Sequence, residues 1–460
     1  MIFDELAVNR CQAVYITWHR CLKENATEQL ASKLATMHCR RPVIEAKSFS
    51  SGSYNLCFRV KFYHGPDVLV RFPILGRSFL RKEKVHSETE IMMYIAAEQP
   101  SIPVPKVLGN GTCDLGPYLI LEFVEGELMV HNLQAEITDH KKPTVLNMGL
   151  DMSTLRKGYR EMARMALALF NCKFSHIGAV RQGSPPEKTW SVETRALTFN
   201  MNELIGLANY PPQDLHKCRF STSSEYFVTL ANYHLQHLKV QRNDAIIDEA
   251  DCRKKYVARC LFRKIAREFR SPYDNGPFPL FCDDFRPSNV IVDKDLNIQC
   301  LIDWEFCYAA PAEFTHCSPW WLLLAHPDDW IAGLDNFLAN FLPKHEIFLE
   351  VLREYEQEQM DSQEPSPNSE KRLSEHMRES METGLFWFCL AARSSFGFDD
   401  IYWDFIDERH FGKFNTLDER LELLTEEERN DLEPFVQLKL EQKKERKFEE
   451  HQTVDEMMDA

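Results

Sequence analysis

"FCDDFRPSNVIVDKDLNIQCLIDWEF", residues 281–306, sets Asp283 and Asp284, then Asn289, then Asp303 around segments that otherwise read as strands. The apolar triplet "VIV" and the run "IQCLI" flank "DKDLN", which predicts a β-hairpin with Asp293 and Asp295 as turn residues. A hairpin of that length returns Asp303 to the neighbourhood of Asn289, fourteen residues earlier in the chain. Asp303 follows "CLI" and precedes Trp304, so it is a costly buried charge unless it has a partner. Two oxygen donors held side by side suit Mg²⁺, which keeps several waters and completes its shell with substrate phosphates.

Four residues separate Asp284 from Asn289, the spacing of the kinase catalytic loop. In that loop the aspartate accepts a hydroxyl proton and aligns the nucleophile, while the asparagine holds a metal on the nucleotide phosphates. The stretch therefore predicts a phosphoryl-transfer site, with Asp284 as catalytic base and Asn289 and Asp303 as metal ligands.

Composition bounds the rest. With 460 residues, 44% of them hydrophobic, the chain is long enough to bury a large core in two or three domains. A formal charge of −16 argues against generic binding to nucleic acid or an anionic membrane, since phosphate backbones are held mainly by lysine and arginine. The first thirty residues lack a basic region followed by an apolar core, and no run is long enough to span a bilayer. The 14 cysteines form no CxxC pair, which reads as reduced thiols and predicts a cytoplasmic protein. Asn25-Ala26-Thr27 fits a glycosylation sequon that this setting makes a chance match.

Along the chain, "SFSSGSYNLCFRVKFYHGPDVLVRF" (48–72) alternates like antiparallel strands, and "RKEKVHSETEIMMYIAA" (81–97) has helical spacing. "GPYLILEFVEG" is a strand stopped by Glu125-Gly126, and residues 155–270 space their apolar positions as helices do. Residues 356–371 are polar with two prolines and read as a loop or disordered insertion; the charged tail from Leu417 reads as a solvated, fraying helix.

"FCDDFRPSNVIVD…LIDWEF" is similar to the H-G-D-x-x-x-x-N and I-D-W-E motifs of the aminoglycoside phosphotransferase family. "FSSGSYNLCFRV", "VLVRFP", "SIPVPKVLG", "LEFVEG", "FNCKFSHIGAV" and "AAPAEFTHCSPWWLLL" extend the resemblance, towards its fungal phosphotransferase branch, over about residues 45 to 435. The resemblance implies an α+β, bilobal protein kinase-like fold with a small β-rich N-lobe and a larger, mostly helical C-lobe. It places the N-lobe at 1–125, the C-lobe at 126–345 and a helical C-terminal extension at 346–460. It also implies ATP and Mg²⁺ as cofactors and a small-molecule hydroxyl as phosphate acceptor. Oligomeric state is not legible.

Residue by residue, "SSGSYN" resembles the nucleotide-covering loop, with Ser51, Gly52 and Ser53 leaving backbone N–H groups free to approach phosphates. The strand lysine that usually contacts the α- and β-phosphates is replaced by Arg71, which binds phosphate with a different geometry. Glu88 shares a helix face with Ile91, Met92 and Ile95, so it points inward and needs a cation, for which Arg71 is the natural partner. The resemblance puts the adenine hinge at the backbone of Glu122 to Val124. The chain departs from the family at Cys282-Asp283-Asp284, which stands where His-Gly-Asp is usual. Asp283 either raises the pKa of Asp284 or points away into a helix start, and Cys282 reads as a packed small hydrophobe. Trp320 and Trp321 are either core or a stacking platform for the acceptor. The departures leave a catalytically impaired nucleotide-binding protein as the alternative. A protein kinase fits less well, because "CYAAPAEFTHCSPWWLLL" leaves no room for an activation loop.

Overall fold

Strand residues that alternate in burial decide the first layer. The chain forms β1 (Val43–Ser51), β2 (Asn55–Phe62), β3 (Val68–Pro73), β4 (Val107–Cys113) and β5 (Gly116–Glu122), an antiparallel sheet in the order β1-β2-β3-β5-β4. In β3, Val68, Val70 and Phe72 are buried on one face, which leaves Arg71 on the other. The computed structural model describes residues 1–24, 26–137, 142–184, 188–362 and 371–459. Asn25 of the sequon and residues 363–370 of the polar stretch lie outside the described residues, and so does the Ser51 side chain.

Two helices, α1 (Glu5–Glu24) and α2 (Thr27–Cys39), precede the sheet. Val14, Trp18 and Leu22 recur every four residues on α1 and are buried, and Trp18 Nε1 donates to the Leu115 carbonyl at 3.0 Å. Helix α3 (Arg81–Glu98) is inserted between β3 and β4 and buries Lys84 and Glu88 together with Ile91, Met92 and Ile95. The strand and helix expectations for residues 48–97 are therefore met.

The second lobe opens with β6 (Glu127–Leu128), α4 (Val130–Leu133) and α5 (Met152–Phe170). Short strands follow, β7 (Lys173–Phe174), β8 (Ala179–Gln182) and β9 (Trp190–Thr194), then helices α6 (Phe199–Ala208), α7 (Ser223–Val240) and α8 (Glu249–Glu268). The β8–β9 hairpin interrupts a stretch expected to be mainly helical; strands of four and five residues are too short to impose a period on the sequence. Next come β10 (Phe278–Cys282), β11 (Val290–Val292), β12 (Ile298–Leu301) and β13 (Cys307–Ala309). Strand β10 lies between β13 and β7, and β11 between β12 and β6. Helices α9 (Ala312–Thr315), α10 (Leu334–Asp361), α11 (Leu373–Thr383) and α12 (Leu385–Arg393) complete the body.

Two sequence expectations need correction. Helix α10 runs on to Asp361, through the first part of the polar stretch, because Glu356 is buried and accepts hydrogen bonds from Ser374 N at 3.1 Å and Ser374 Oγ at 2.5 Å. The tail is not a fraying solvated helix. Helix Glu426–Glu445 buries Leu432, Phe435 and Val436. Its Lys439 ammonium donates to the Lys239 and Gln241 carbonyls at 2.8 Å each, at the C-terminal end of α7. Polar and charged composition hid both contacts, since a charged residue whose head finds matching donors or acceptors can be buried.

Several histidines are buried neutral. His234 and His316 are pushed down to about 3 and His345 to about 4, first by burial, and the His316 ring lies flat on His376 at 3.8 Å between centroids. An unfolded histidine titrates near pH ~6.5. Below that pH the unfolded chain takes up a proton the folded one refuses, so the stability present above it is lost as pH falls. Buried carboxyls raised on folding, such as Asp284 at about 6, act in the opposite sense. A comparison with His316→Phe isolates the histidine. Relative to that variant, the wild type should lose about 1.4 kcal/mol per pH unit between about pH 6.5 and 4 in urea unfolding. Parallel curves for the two proteins would refute this.

Candidate active site

Strand β10 delivers the loop and the β11–β12 hairpin returns it. Val290 pairs with Leu301, and Ile302 N donates to Asn289 O at 2.9 Å, which brings Asp303 beside Asn289 as the hairpin length predicts. Asp293 Oδ1 accepts from the backbone N–H of Asp295 and of Asn297, both at 2.9 Å, so it is a turn residue. Asp303 adopts a left-handed backbone, φ 65°, uncommon for a residue with a Cβ. That conformation aims its carboxylate across the cleft, with Oδ1 2.8 Å from Arg71 Nη2.

Arg71 meets three carboxylates. Nη1 donates to Glu88 Oε1 at 2.9 Å, the pairing expected from helix periodicity, and Nη2 donates to Glu305 Oε2 at 3.1 Å. Glu305 is 3% exposed and takes two further donors, Asn55 Nδ2 at 2.8 Å and Lys84 Nζ at 2.7 Å. Burial would raise the Glu305 carboxyl, but Lys84 and Arg71 outweigh it and the net shift is downward. Burial raises Glu88, with Arg71 opposing. The sequence reading missed Lys84, Asn55 and Glu305. Lys84 stands one turn before Glu88 on the same inward face, a signal the helix period carried.

Asp284 is held by its own loop. Asn289 Nδ2 donates to Asp284 Oδ2 at 2.7 Å and to its carbonyl at 2.9 Å, and Arg286 Nε lies 2.7 Å from Oδ1. Burial raises the Asp284 carboxyl to about 6, with Asp303 and Glu305 adding to the rise and Arg286 and Asn289 opposing it. Asp283 points into a helix start: its Oδ2 accepts the Phe199 N–H at the first turn of α6 at 3.0 Å, and Arg393 lies 3.5 Å from Oδ1. Cys282 is buried, as expected of a small hydrophobe.

The β1–β2 turn carries Gly52, whose N–H donates to the Asn55 carbonyl at 3.0 Å, and Ser53 beside it is exposed. At the expected hinge, Glu122 N donates to Lys106 O at 2.9 Å and Phe123 N to Asp67 O at 3.0 Å. Among the described residues this leaves the Val124 N–H as the one of the three outside the backbone pairings. Trp321 is core, and Trp320 lines a cavity of about 900 Å³ that also contains Asp284 and Arg286.

Mg²⁺ can be tested against these residues. Arg71 and Lys84 face Glu88, Asp303 and Glu305, an excess of one carboxylate, and the Asp303 side chain remains 32% exposed to the cleft. Asn289 Oδ1 and Asp303 are hard oxygen donors. Among the described residues no group of three or more His, Cys, Asp or Glu is arranged to hold a metal. A cation at this place would thus depend on phosphate oxygens, the usual habit of Mg²⁺, and the donor set fits.

The five-stranded sheet with its inward-facing helix α3 and the mostly helical second lobe that carries the Asn289–Asp303 hairpin make a two-lobed fold of mixed helix and sheet. The phosphotransferase enzyme family model matches residues 45–314, more than half of the chain, and the protein belongs to that family. Among solved structures, the chain is similar to a macrolide 2'-phosphotransferase from Brachybacterium faecium, with 12% identity, 84% of this chain and 99% of the other covered, and a TM-score of 0.37. It is also similar to an aminoglycoside-3'-phosphotransferase of type VIII, with 16% identity, 77% and 97% coverage and a TM-score of 0.36. An aminoglycoside phosphotransferase from Alicyclobacillus acidocaldarius shares 11% identity, with 87% and 92% coverage and a TM-score of 0.33. These likenesses are weak, and membership rests on the matched segment. No curated protein matches the chain. Among the described residues no helix is long and apolar enough to cross a membrane.

The Lys84–Glu305 pair yields a stability test. Both side chains are nearly fully buried, at 1% and 3% exposure, so Lys84→Met strands a charge and should cost about 3–5 kcal/mol in denaturant unfolding. Adding Glu305→Met should recover part of that loss, because two apolar residues can replace a buried pair. A single variant as stable as the wild type would contradict the pairing.

Proposed function

We propose that the protein transfers the γ-phosphoryl group of ATP to a hydroxyl of a small, positively charged molecule. The observation that carries this reading is the position of Asp284. It lines the 900 Å³ cavity on one side and is bonded on the other to Asn289, the neighbour of Asp303 and the Arg71 cluster.

Asp284, raised to about 6, is ionised for the most part near neutral pH yet basic enough to accept a hydroxyl proton as the acceptor oxygen attacks. Asn289 orients that carboxylate through Nδ2 and offers Oδ1, with Asp303, to Mg²⁺. The metal, when bound, neutralises charge developing on the phosphates. Arg71, held by Glu88 and Glu305, presents its guanidinium to the α- and β-phosphates, and the turn around Ser51, Gly52 and Ser53 covers them. The backbone from Glu122 to Val124, chiefly the Val124 N–H, receives the adenine. Arg286, beside Asp284, supplies a cation at the border of cavity and cleft.

The charge of the cavity supports the acceptor class. Among the described residues, nine carboxylates line it against four lysine and arginine side chains. Glu203 is raised to about 7 first by burial, with His326 opposing and Asp328, Asp329 and Asp283 adding to the rise, as expected where carboxylates outnumber cations. An ammonium or guanidinium on the acceptor relieves that repulsion.

One observation favours the alternative of an impaired nucleotide binder: Arg71 is already engaged by three carboxylates. Two variants separate the readings. Asp303→Asn should abolish turnover and remove the Mg²⁺ dependence of ATP binding in calorimetry. Asp284→Asn should keep Mg-ATP affinity within a few-fold while turnover drops by roughly 10²-fold or more. A wild type that binds no Mg-ATP supports the alternative. For the acceptor, ADP release screened over amine-bearing and neutral polyols should favour the amines, and Glu203→Gln should raise KM about tenfold or more, the loss of one charged contact. Equal use of neutral polyols would overturn the charge assignment.

A further inference from the structure

Cys282 and Cys307 stand directly opposite each other where β10 meets β13. Asp283 N donates to Phe306 O at 3.1 Å, one residue outside the pair on each strand. This bracketing marks a non-hydrogen-bonded antiparallel pair, the kind in which facing Cα atoms are closest, about 4.5 Å. A disulfide requires Cα atoms about 4.4–6.8 Å apart with Cβ atoms turned toward each other, and facing residues of such a pair share one side of the sheet. The Cys307 thiol, through a hydrogen bond, and then burial hold the Cys282 thiol well above the ordinary range, so Cys282 is protonated at rest and its oxidation runs through the minor thiolate form. None of the 14 cysteines is joined in a disulfide.

We propose that Cys282 and Cys307 are an oxidation site that takes a small peroxide and closes a disulfide immediately behind the catalytic loop. Both residues are buried, at 7% and 3% exposure, but the acceptor cavity begins one residue further on, at Asp283. Hydrogen peroxide is small enough to use that route when larger oxidants are not. The Cys282 thiol gives up its proton and its sulfur attacks one peroxide oxygen. The O–O bond breaks, and the departing hydroxide takes the proton as water. The resulting sulfenic acid is attacked by the Cys307 sulfur, the S–O bond breaks, and the second water leaves with the Cys307 proton. Two thiols lose two electrons in total, and the peroxide gains them.

The bond would tie the start of the Asp283–Asn289 loop to the segment that follows Asp303 and Glu305. The Cys282 sulfur lies 4.0 Å from the Asp303 carbonyl, so drawing it toward Cys307 moves the supports of Asp284 and Asp303 together. This consequence for turnover rests on the phosphoryl-transfer reading above; the disulfide itself does not.

The test uses the full chain, reduced, exposed to hydrogen peroxide, quenched with an alkylating reagent and digested without reductant. The expected map contains a Cys282–Cys307 cross-linked peptide, lighter by two hydrogens than its parts and lost on dithiothreitol treatment. Turnover should fall about tenfold or more and return with dithiothreitol, whereas Cys307→Ser should keep its turnover under the same exposure. Absence of that peptide, or oxidation confined to Cys21, Cys218 or the neighbouring Cys317 and Cys389, overturns the proposal. Equal loss of turnover in Cys307→Ser overturns the link to activity. A cross-link in a protein whose reduced form transfers no phosphoryl group upholds the oxidation site and counts against the kinase reading alone.

Discussion

Glu305 is almost completely removed from water, yet it accepts from Asn55 on β2, Arg71 on β3 and Lys84 on α3 while standing two residues after Asp303. One carboxylate thus fastens three elements of the small lobe to the Asp303 segment of the large one. A buried carboxylate survives only when its lone pairs are matched, so each of these donors is constrained by the others. Arg71 is positioned by Glu88 from one side and by Glu305 from the other, which leaves its guanidinium with little freedom. The substitution of arginine for the usual strand lysine is consistent with that demand: a planar fork serves several acceptors at once, where an ammonium is a point charge.

The two neighbouring aspartates have separate duties because their backbones lead them apart. Asp283 turns away to accept the first N–H of α6, a favourable place for a carboxylate at a helix start, with Arg393 behind it. Asp284 turns toward the cavity and is held by Asn289 and Arg286. The acidic residue beside Asp284 therefore joins the loop to a helix of the cavity wall. Asp284 is raised first by burial, with Asp303 and Glu305 adding to the rise.

The cavity itself is assembled from distant parts of the chain. Glu203 comes from α6, Trp320 and Asp328 from the segment after α9, Arg393 from the end of α12, and Asp400 and Asp404 from beyond it. Much of its lining thus comes from after the Asp284–Asp303 stretch in sequence, from residues that carry no local pattern. A docked C-terminal helix, held by Lys439 on the carbonyls that end α7, fixes the far side of the helical body.

Sequence alone determined the parts whose signal is local. The hairpin between Asn289 and Asp303, the inward face of α3 that carries Glu88, the alternation of β3 and the spacing of Asp284 to Asn289 follow from periods of two and 3.6 and from turn chemistry. The large lobe's helices were legible for the same reason; the β8–β9 hairpin was not, because its strands are too short to show a period. Tertiary structure decided what depends on partners far apart in the chain. Glu305 finds Asn55 across 250 positions, Asp283 chooses α6 over Asp284, Trp321 enters the core while Trp320 faces the cavity, and Glu356 and Lys439 are buried against polar expectation. Charge on a residue reports the cost of burying it; only the fold reveals whether a matching donor or acceptor is there to offset that cost.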